Sequence, residues 1–141
     1  MKRMDFRDRW VMVTGASSGL GREMARYLAQ QHGANLVIVA RRESRLAELK
    51  GEIEGDFGVS VVPVIADLST VEGADRAFEA ATEGRDLYGA ILNAGITHFG
   101  RHHELTWDDF ERMLSTNVTS VVRLTRLLVP YLEGKDQGGG V

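Results

Sequence analysis

The residues best suited to chemistry in the first part of the chain are glycines and hydroxyls at fixed spacing. Thr14-Gly15-Ala16-Ser17-Ser18-Gly19-Leu20-Gly21 follows directly on an apolar run, Trp10-Val11-Met12-Val13, and leads into a helical pattern. A strand, a glycine turn and a helix start together present backbone N–H groups and a positive helix end to a phosphate. Glycine suits such a turn because the backbone angles are unusual and a ligand must come close to bare main chain. Met24 stands where G-x-G-x-x-G would place its third glycine, so the spacing is T-G-x-x-x-G-x-G. Gly21 is followed by Arg22 and no Gly-Lys-Ser/Thr occurs, which argues against a P-loop. The bland alternative is a structural strand-to-helix turn that holds no ligand.

A second cluster bears on which phosphate is bound. At the end of the next apolar run, a fold that selects NAD normally carries a carboxylate for the ribose 2′-OH. This chain instead has Ala40, Arg41 and Arg42. Guanidinium groups supply the charge and forked donors that a 2′-phosphate needs, and Ser17 offers a hydroxyl to the same group. The competing reading is a solvated arginine pair opening a helix. Positive charge is disfavoured at that end, which argues for a functional reason. The expectation is NADP(H).

These residues need a scaffold. Residues 10–13 read as a first strand, and residues 19–32 as a helix with Leu20, Met24, Tyr27 and Leu28 on its apolar face and Gly33 as its cap. Residues 35–40 form a continuous apolar second strand, of the kind covered on both faces. A second helix spans residues 43–57 with Leu46, Leu49 and Ile53 inward, and a third strand spans residues 60–65. Pro63 cannot donate to a ladder and so suits an edge. A helix over residues 71–81 and a strand over residues 89–93 follow. Thr106 caps a long last helix over residues 107–132. Its expected inward stripe is Phe110, Met113, Leu114, Val118, Val121, Thr125, Leu128 and Leu132, with a bend or stop at Pro130. A polar, glycine-rich connector occupies residues 133–140. The β-α-β alternation predicts an α/β fold with a doubly wound parallel sheet.

The octet, with Asp67-Leu68 after the third strand, Asn93-Ala94-Gly95 after the fourth and Asn117 in the long helix, resembles the short-chain dehydrogenase/reductases. Four ordered matches are far more specific than a lone glycine loop. The resemblance covers essentially the whole chain but only about the first half of a family member. It implies a Rossmann-like sheet truncated to about four strands, order 3-2-1-4. It assigns Gly15, Ser17, Ser18, Gly19, Leu20, Gly21, Arg41, Arg42, Asp67, Leu68, Asn93, Ala94 and Gly95 to cofactor contacts. Asp67 would touch adenine and Leu68 line its pocket, while Asn117 would be the asparagine of the catalytic tetrad, holding a water in a proton relay. The alternatives are a helix N-cap for Asp67, a plain turn for Asn93-Ala94-Gly95 and a partly exposed helix residue for Asn117.

The family reaction passes hydride between the nicotinamide and a carbonyl or alcohol carbon. By the same resemblance its serine and its tyrosine–lysine pair lie beyond Val141, so the 141 residues alone are expected to be inactive. Tyr131 and Lys135 do spell Y-x-x-x-K, but they end the wrong helix, before the connector to a fifth strand. The fourth strand is then expected to be a bare edge, inviting self-association there or through the long helix. Two other classes stay open: a noncatalytic nucleotide sensor, and an interaction protein that kept the fold without the ligand.

Composition agrees with a single globular domain. With 141 residues, 43% hydrophobic and 26% charged, the chain can bury roughly 68–70% of its unfolded surface. A net charge of −3 gives no bulk pull toward nucleic acid or an anionic membrane. There are no cysteines, so disulfides and thiolate metal sites are excluded. No apolar run approaches the ~18 residues of a membrane span, and the charged start lacks a signal-peptide core, so a cytoplasmic protein is expected. His98, His102 and His103 lack a carboxylate-rich partner cluster and read as a solvated loop, so no metal is expected.

Overall fold

The computed structural model describes residues 4–135 and 139–141; the first three residues and the middle of the predicted connector lie outside the described residues. Strands β1 (Trp10–Thr14), β2 (Asn35–Ala40), β3 (Val61–Ile65) and β4 (Leu87–Ile91) form one sheet in the order β3-β2-β1-β4. Every pairing is parallel. The helices are α1 (Gly19–His32), α2 (Glu43–Phe57), α3 (Val71–Thr82), α4 (Trp107–Leu114) and α5 (Ser120–Glu133). Pro63 lies on the edge strand, opposite Ile38.

Strand alternation divides the core into two layers. Val11, Val13, Leu36 and Ile38 face α1 and α2, where Leu46, Leu49 and Ile53 are fully buried. Met12, Val37 and Val39 face the other way, onto Ala74 and Ala77 of α3 and Leu124, Leu128 and Leu132 of α5. Both faces of β1 and β2 are therefore covered, which is why their sequences are continuous apolar runs.

Several predicted details are corrected. The inner face of α1 is Gly21, Ala25, Leu28 and Ala29, while Leu20 is 71% and Tyr27 59% exposed. Small residues let that helix lie close against the sheet, so the bulkier ones must turn outward. Strand β4 starts and ends two residues earlier than expected. Its last predicted residue, Asn93, has left the ladder and donates its Nδ2 to Thr14 O at 3.2 Å.

The long last helix is three pieces. Between α4 and α5, Ser115–Thr119 forms a π-helical turn. Such a turn accommodates an extra residue and rotates everything after it. The buried positions are Thr116, Ser120, Leu124, Leu128 and Leu132, whereas Phe110, Leu114 and Val118 of the expected inward stripe are exposed. Pro130 neither stops nor interrupts α5 before Glu133. Finally, the β4 edge is not bare. Gly140 accepts from Ala90 N at 3.0 Å and donates to Tyr88 O at 3.3 Å, forming a parallel bridge opposite Gly89.

Candidate functional site

The strand order reverses at β1: the chain winds outward through β2 and β3, then returns to lay β4 on the other side. Diverging connections at that point open a crevice beyond the strand ends. The glycine turn fills its floor. Gly15 sits at φ 69°, and a Cβ there would lie 2.8 Å from Ala94 Cα, so main chain meets main chain across the reversal. Ala16 N donates to Val39 O at 3.2 Å, tying the turn to β2. Gly21 is buried beneath the turn, where a Cβ would stand 2.4 Å from Gly15 O.

Thr14 joins the two loops. Its buried hydroxyl accepts from Ala94 N at 3.0 Å and donates to Ile91 O at 3.4 Å. Together with the Asn93 amide on Thr14 O, these bonds fix Asn93-Ala94-Gly95 against the turn. Across the crevice, Asn117 reaches out of the π-helical turn. Its Oδ1 accepts from Ile96 N at 2.9 Å and its Nδ2 donates to Ile96 O at 2.8 Å. A side-chain amide that satisfies both main-chain groups of one residue locks that residue's position.

The resulting cleft has a volume of about 390 Å³. Eleven residues singled out in the sequence line it: Gly15, Ser17, Ser18, Leu20, Arg41, Arg42, Asp67, Leu68, Asn93, Ala94 and Gly95. Gly19, Gly21 and Asn117 lie outside its wall. Gly19 begins α1, Gly21 supports the turn from below, and Asn117 acts on the wall through Ile96. Ala40 lines it beside Arg41, and Val39, Ala66, Ile96 and Thr116, which were not anticipated, complete the lining. Thr14 was readable as the one hydroxyl closing an apolar run; nothing in the sequence marks Ile96.

Groups of opposite charge follow the neighbouring ends of β2 and β3. At one rim Arg42 Nη2 donates to Ser17 Oγ and Ser18 Oγ, each at 2.9 Å. A guanidinium and two hydroxyls thus converge just past the end of β2, where Arg41 and Arg42 follow Ala40. Just past the end of the adjacent strand β3, Asp67 Oδ1 accepts from Ser69 N at 3.0 Å and Ser69 Oγ at 2.8 Å. The Ser69 backbone N–H is the main cause that holds the Asp67 carboxyl below its ordinary range, helped by the Ser69 hydroxyl and the charges of Arg41 and Arg112. The N-cap of α3 falls to Thr70, which accepts from Gly73 N at 3.0 Å.

The Tyr131–Lys135 pair lies away from the cleft. Tyr131 Oη accepts from Leu87 N at 3.2 Å, and Lys135 Nζ pairs with Asp86 at 2.5 Å, at the opposite ends of the strands from the cleft. Among the described residues, no three His, Cys, Asp or Glu side chains converge as metal ligands. No helix of the described residues is long and apolar enough to cross a membrane.

A parallel doubly wound sheet with a glycine turn at its order reversal defines a Rossmann-like nucleotide-binding fold. Within that class, the chain belongs to the short chain dehydrogenase family, whose sequence model matches residues 9–141. It is 32% identical over 140 residues to the NADP-dependent 3-hydroxy acid dehydrogenase of Schizosaccharomyces pombe, covering 98% of this chain and 53% of that protein. Among solved structures it resembles a short-chain dehydrogenase from Sphingobium yanoikuyae in complex with NADPH (TM-score 0.80, 32% identity, 86% of this chain and 47% of that one). It also resembles L-sorbose reductase from Gluconobacter frateurii complexed with NADPH and L-sorbose (TM-score 0.83, 31% identity, 93% and 51%). The chain spans about half the length of the relatives it matches.

Proposed function

We propose that these residues form the NADP(H)-binding half-site of an oxidoreductase acting on a carbonyl or alcohol substrate. The observation that carries this reading is Arg42, held 2.9 Å from both serine hydroxyls at the end of β2. Bound there, NADP(H) would supply or accept the hydride of the reaction.

The structure fits such a group in two respects. A cradle exists where a Cβ at Gly15 would strike Ala94, and cationic donors stand where a 2′-phosphate rather than a free 2′-OH would be met. Ser17, Ser18 and the first N–H groups of α1 would receive the phosphates, with Arg41 and Arg42 neutralising the one on the ribose. Asp67 and Leu68 would border the adenine. Ala94 and Gly95 would let the cofactor lie against main chain, and Asn117 would position that wall through Ile96. In this reading the substrate walls and the proton-transferring groups belong to the other half of the family's length, and the 141 residues alone bind without turnover. The NADPH complexes of the two structural relatives support the cofactor choice, and self-association is part of the same reading.

Arg42→Ala tests it. Charge-assisted hydrogen bonds contribute ~1.5–3 kcal/mol each, about ten- to a hundredfold in affinity. NADPH binding should fall by about that factor while NADH binding stays unchanged. An unchanged NADPH/NADH preference in both Arg42→Ala and Arg41→Ala contradicts the assignment.

A further inference from the structure

His98, His102 and His103 belong to a segment with an unusual charge balance. Residues 87–103 contain no Asp or Glu, and Arg101 stands among the histidines. The chain as a whole carries a net charge of −3, so this stretch runs against its surroundings. All four basic side chains are exposed, and among the described residues none has an ion-pair partner.

The place of the segment in the fold indicates what meets it. Arg41, Arg42 and Asp67 follow β2 and β3 on one side of β1, whereas Gly95 and Ile96 follow β4 on the other. A dinucleotide with its phosphorylated ribose past β2 and its pyrophosphate at α1 must place its second, reactive nucleotide beside Gly95 and Ile96. The basic segment starts from that same wall. It leaves Ile96, which Asn117 holds by two hydrogen bonds, and reaches the N-cap of α4 at Thr106.

The segment's nearest acid does not cancel its cations. Glu104 closes a short 3-10 turn, His102–Glu104, and accepts from Arg101 N at 3.2 Å. A Cβ on Gly100 would stand 2.9 Å from Glu104 Oε2 and 2.8 Å from His98 Nε2, so both side chains close over that glycine. The carboxylate is engaged by main chain and lies beside His98. Arg101, His102 and His103 keep their N–H donors for a ligand, and guanidinium and imidazole donors suit a carboxylate.

We infer that residues 98–103 form an anion-recognising rim on the substrate side of the cleft. The substrate therefore carries a carboxylate in addition to its carbonyl or alcohol carbon: it is an oxo acid or the corresponding hydroxy acid. Arg101 is the anchor that draws the carboxylate in, and His102 and His103 add donors around it. These are positioning residues, which hold the substrate and take no part in hydride or proton transfer. The inference rests on the cofactor reading above and adds the class of substrate.

Nuclear magnetic resonance of the NADPH-bound chain, titrated with butyrate and in parallel with its uncharged isostere butyramide, tests it. Butyrate should shift the resonances of residues 98–103 saturably, and butyramide should not. Arg101→Gln should weaken butyrate about two- to fivefold, the range of one exposed ion pair. Arg101→Gln/His102→Gln/His103→Gln should bind butyrate no better than butyramide, and both variants should keep their NADPH affinity. A chain that binds no NADPH overturns the cofactor reading and this inference together. With NADPH bound, equal shifts from the two probes, or shifts from neither, overturn the inference alone. A fall in NADPH affinity in the triple variant does so too, because the cations would then serve the cofactor's phosphates.

Discussion

Gly21 and Gly51 are both helical glycines, and the same substitution should act on them in opposite directions. An alanine Cβ at Gly21 would lie 2.4 Å from Gly15 O and 2.5 Å from Asn93 Nδ2. Even to reach 3.0 Å from that carbonyl, α1 and the turn must part by about 0.6 Å. The obstruction is main chain at the reversal of strand order, so no rotamer change relieves it. Overpacking of this sort costs ~1–3 kcal/mol. Against it stands the better helix propensity of alanine, at most ~1 kcal/mol. The steric cost wins, and Gly21→Ala should lose about 1–2 kcal/mol. At Gly51, on the exposed side of α2, a Cβ meets nothing within 4 Å, so only the propensity acts. Gly51→Ala should gain about 0.5–1 kcal/mol. Urea unfolding of the two variants beside the wild type reads the difference, about 1.5–3 kcal/mol, or several degrees in Tm. If Gly21→Ala proves as stable as Gly51→Ala, the turn does not lie against α1 as described.

Two further outcomes follow from hydrogen bonds at the cleft. Thr14→Val keeps the shape but leaves Ala94 N without its acceptor, which should cost ~1–3 kcal/mol in urea unfolding; Thr14→Ser should stay close to wild type, and equal stability of the two variants would contradict the linkage. The Asp67 carboxyl is held below its ordinary value by Ser69 N–H, so its contribution to stability is full above the unfolded pKa of about 3.9 and is lost as pH falls through the lower folded value. Asp67→Asn should therefore flatten the acid end of the stability–pH curve while leaving the neutral region parallel to wild type; an unaltered acid slope would count against it.

How far the sequence disclosed this molecule depended on whether one element or two decided a residue's place. The bounds of α1, β2 and α2 were readable because each is punctuated locally: Gly33 takes the left-handed cap after α1, and Arg41-Arg42 break the apolar run of β2. The face that α1 buries was not readable, since bulk argued for Leu20 and Tyr27 while close packing on the sheet selected Gly21, Ala25 and Ala29. Residues 87–93 are apolar enough to pair in more than one frame. The frame was decided by Thr14 and Asn93, which bond across 79 residues of sequence. The π-helical turn left no trace in the pattern either, because one extra residue in a helix changes only what comes after it. Charge reasoning singled out the Arg41-Arg42 pair. It could not say that Arg42 would be the one to reach the serines.

Calorimetric titration of the 141-residue chain with NADPH, and in parallel with NADH, tests the central claim most directly. Saturable binding that is at least tenfold tighter for NADPH is expected, about the contribution of a single charge-assisted contact at Arg42. Equal affinity for the two, or tighter binding of NADH, would contradict the assignment of the arginine–serine rim to a ribose phosphate.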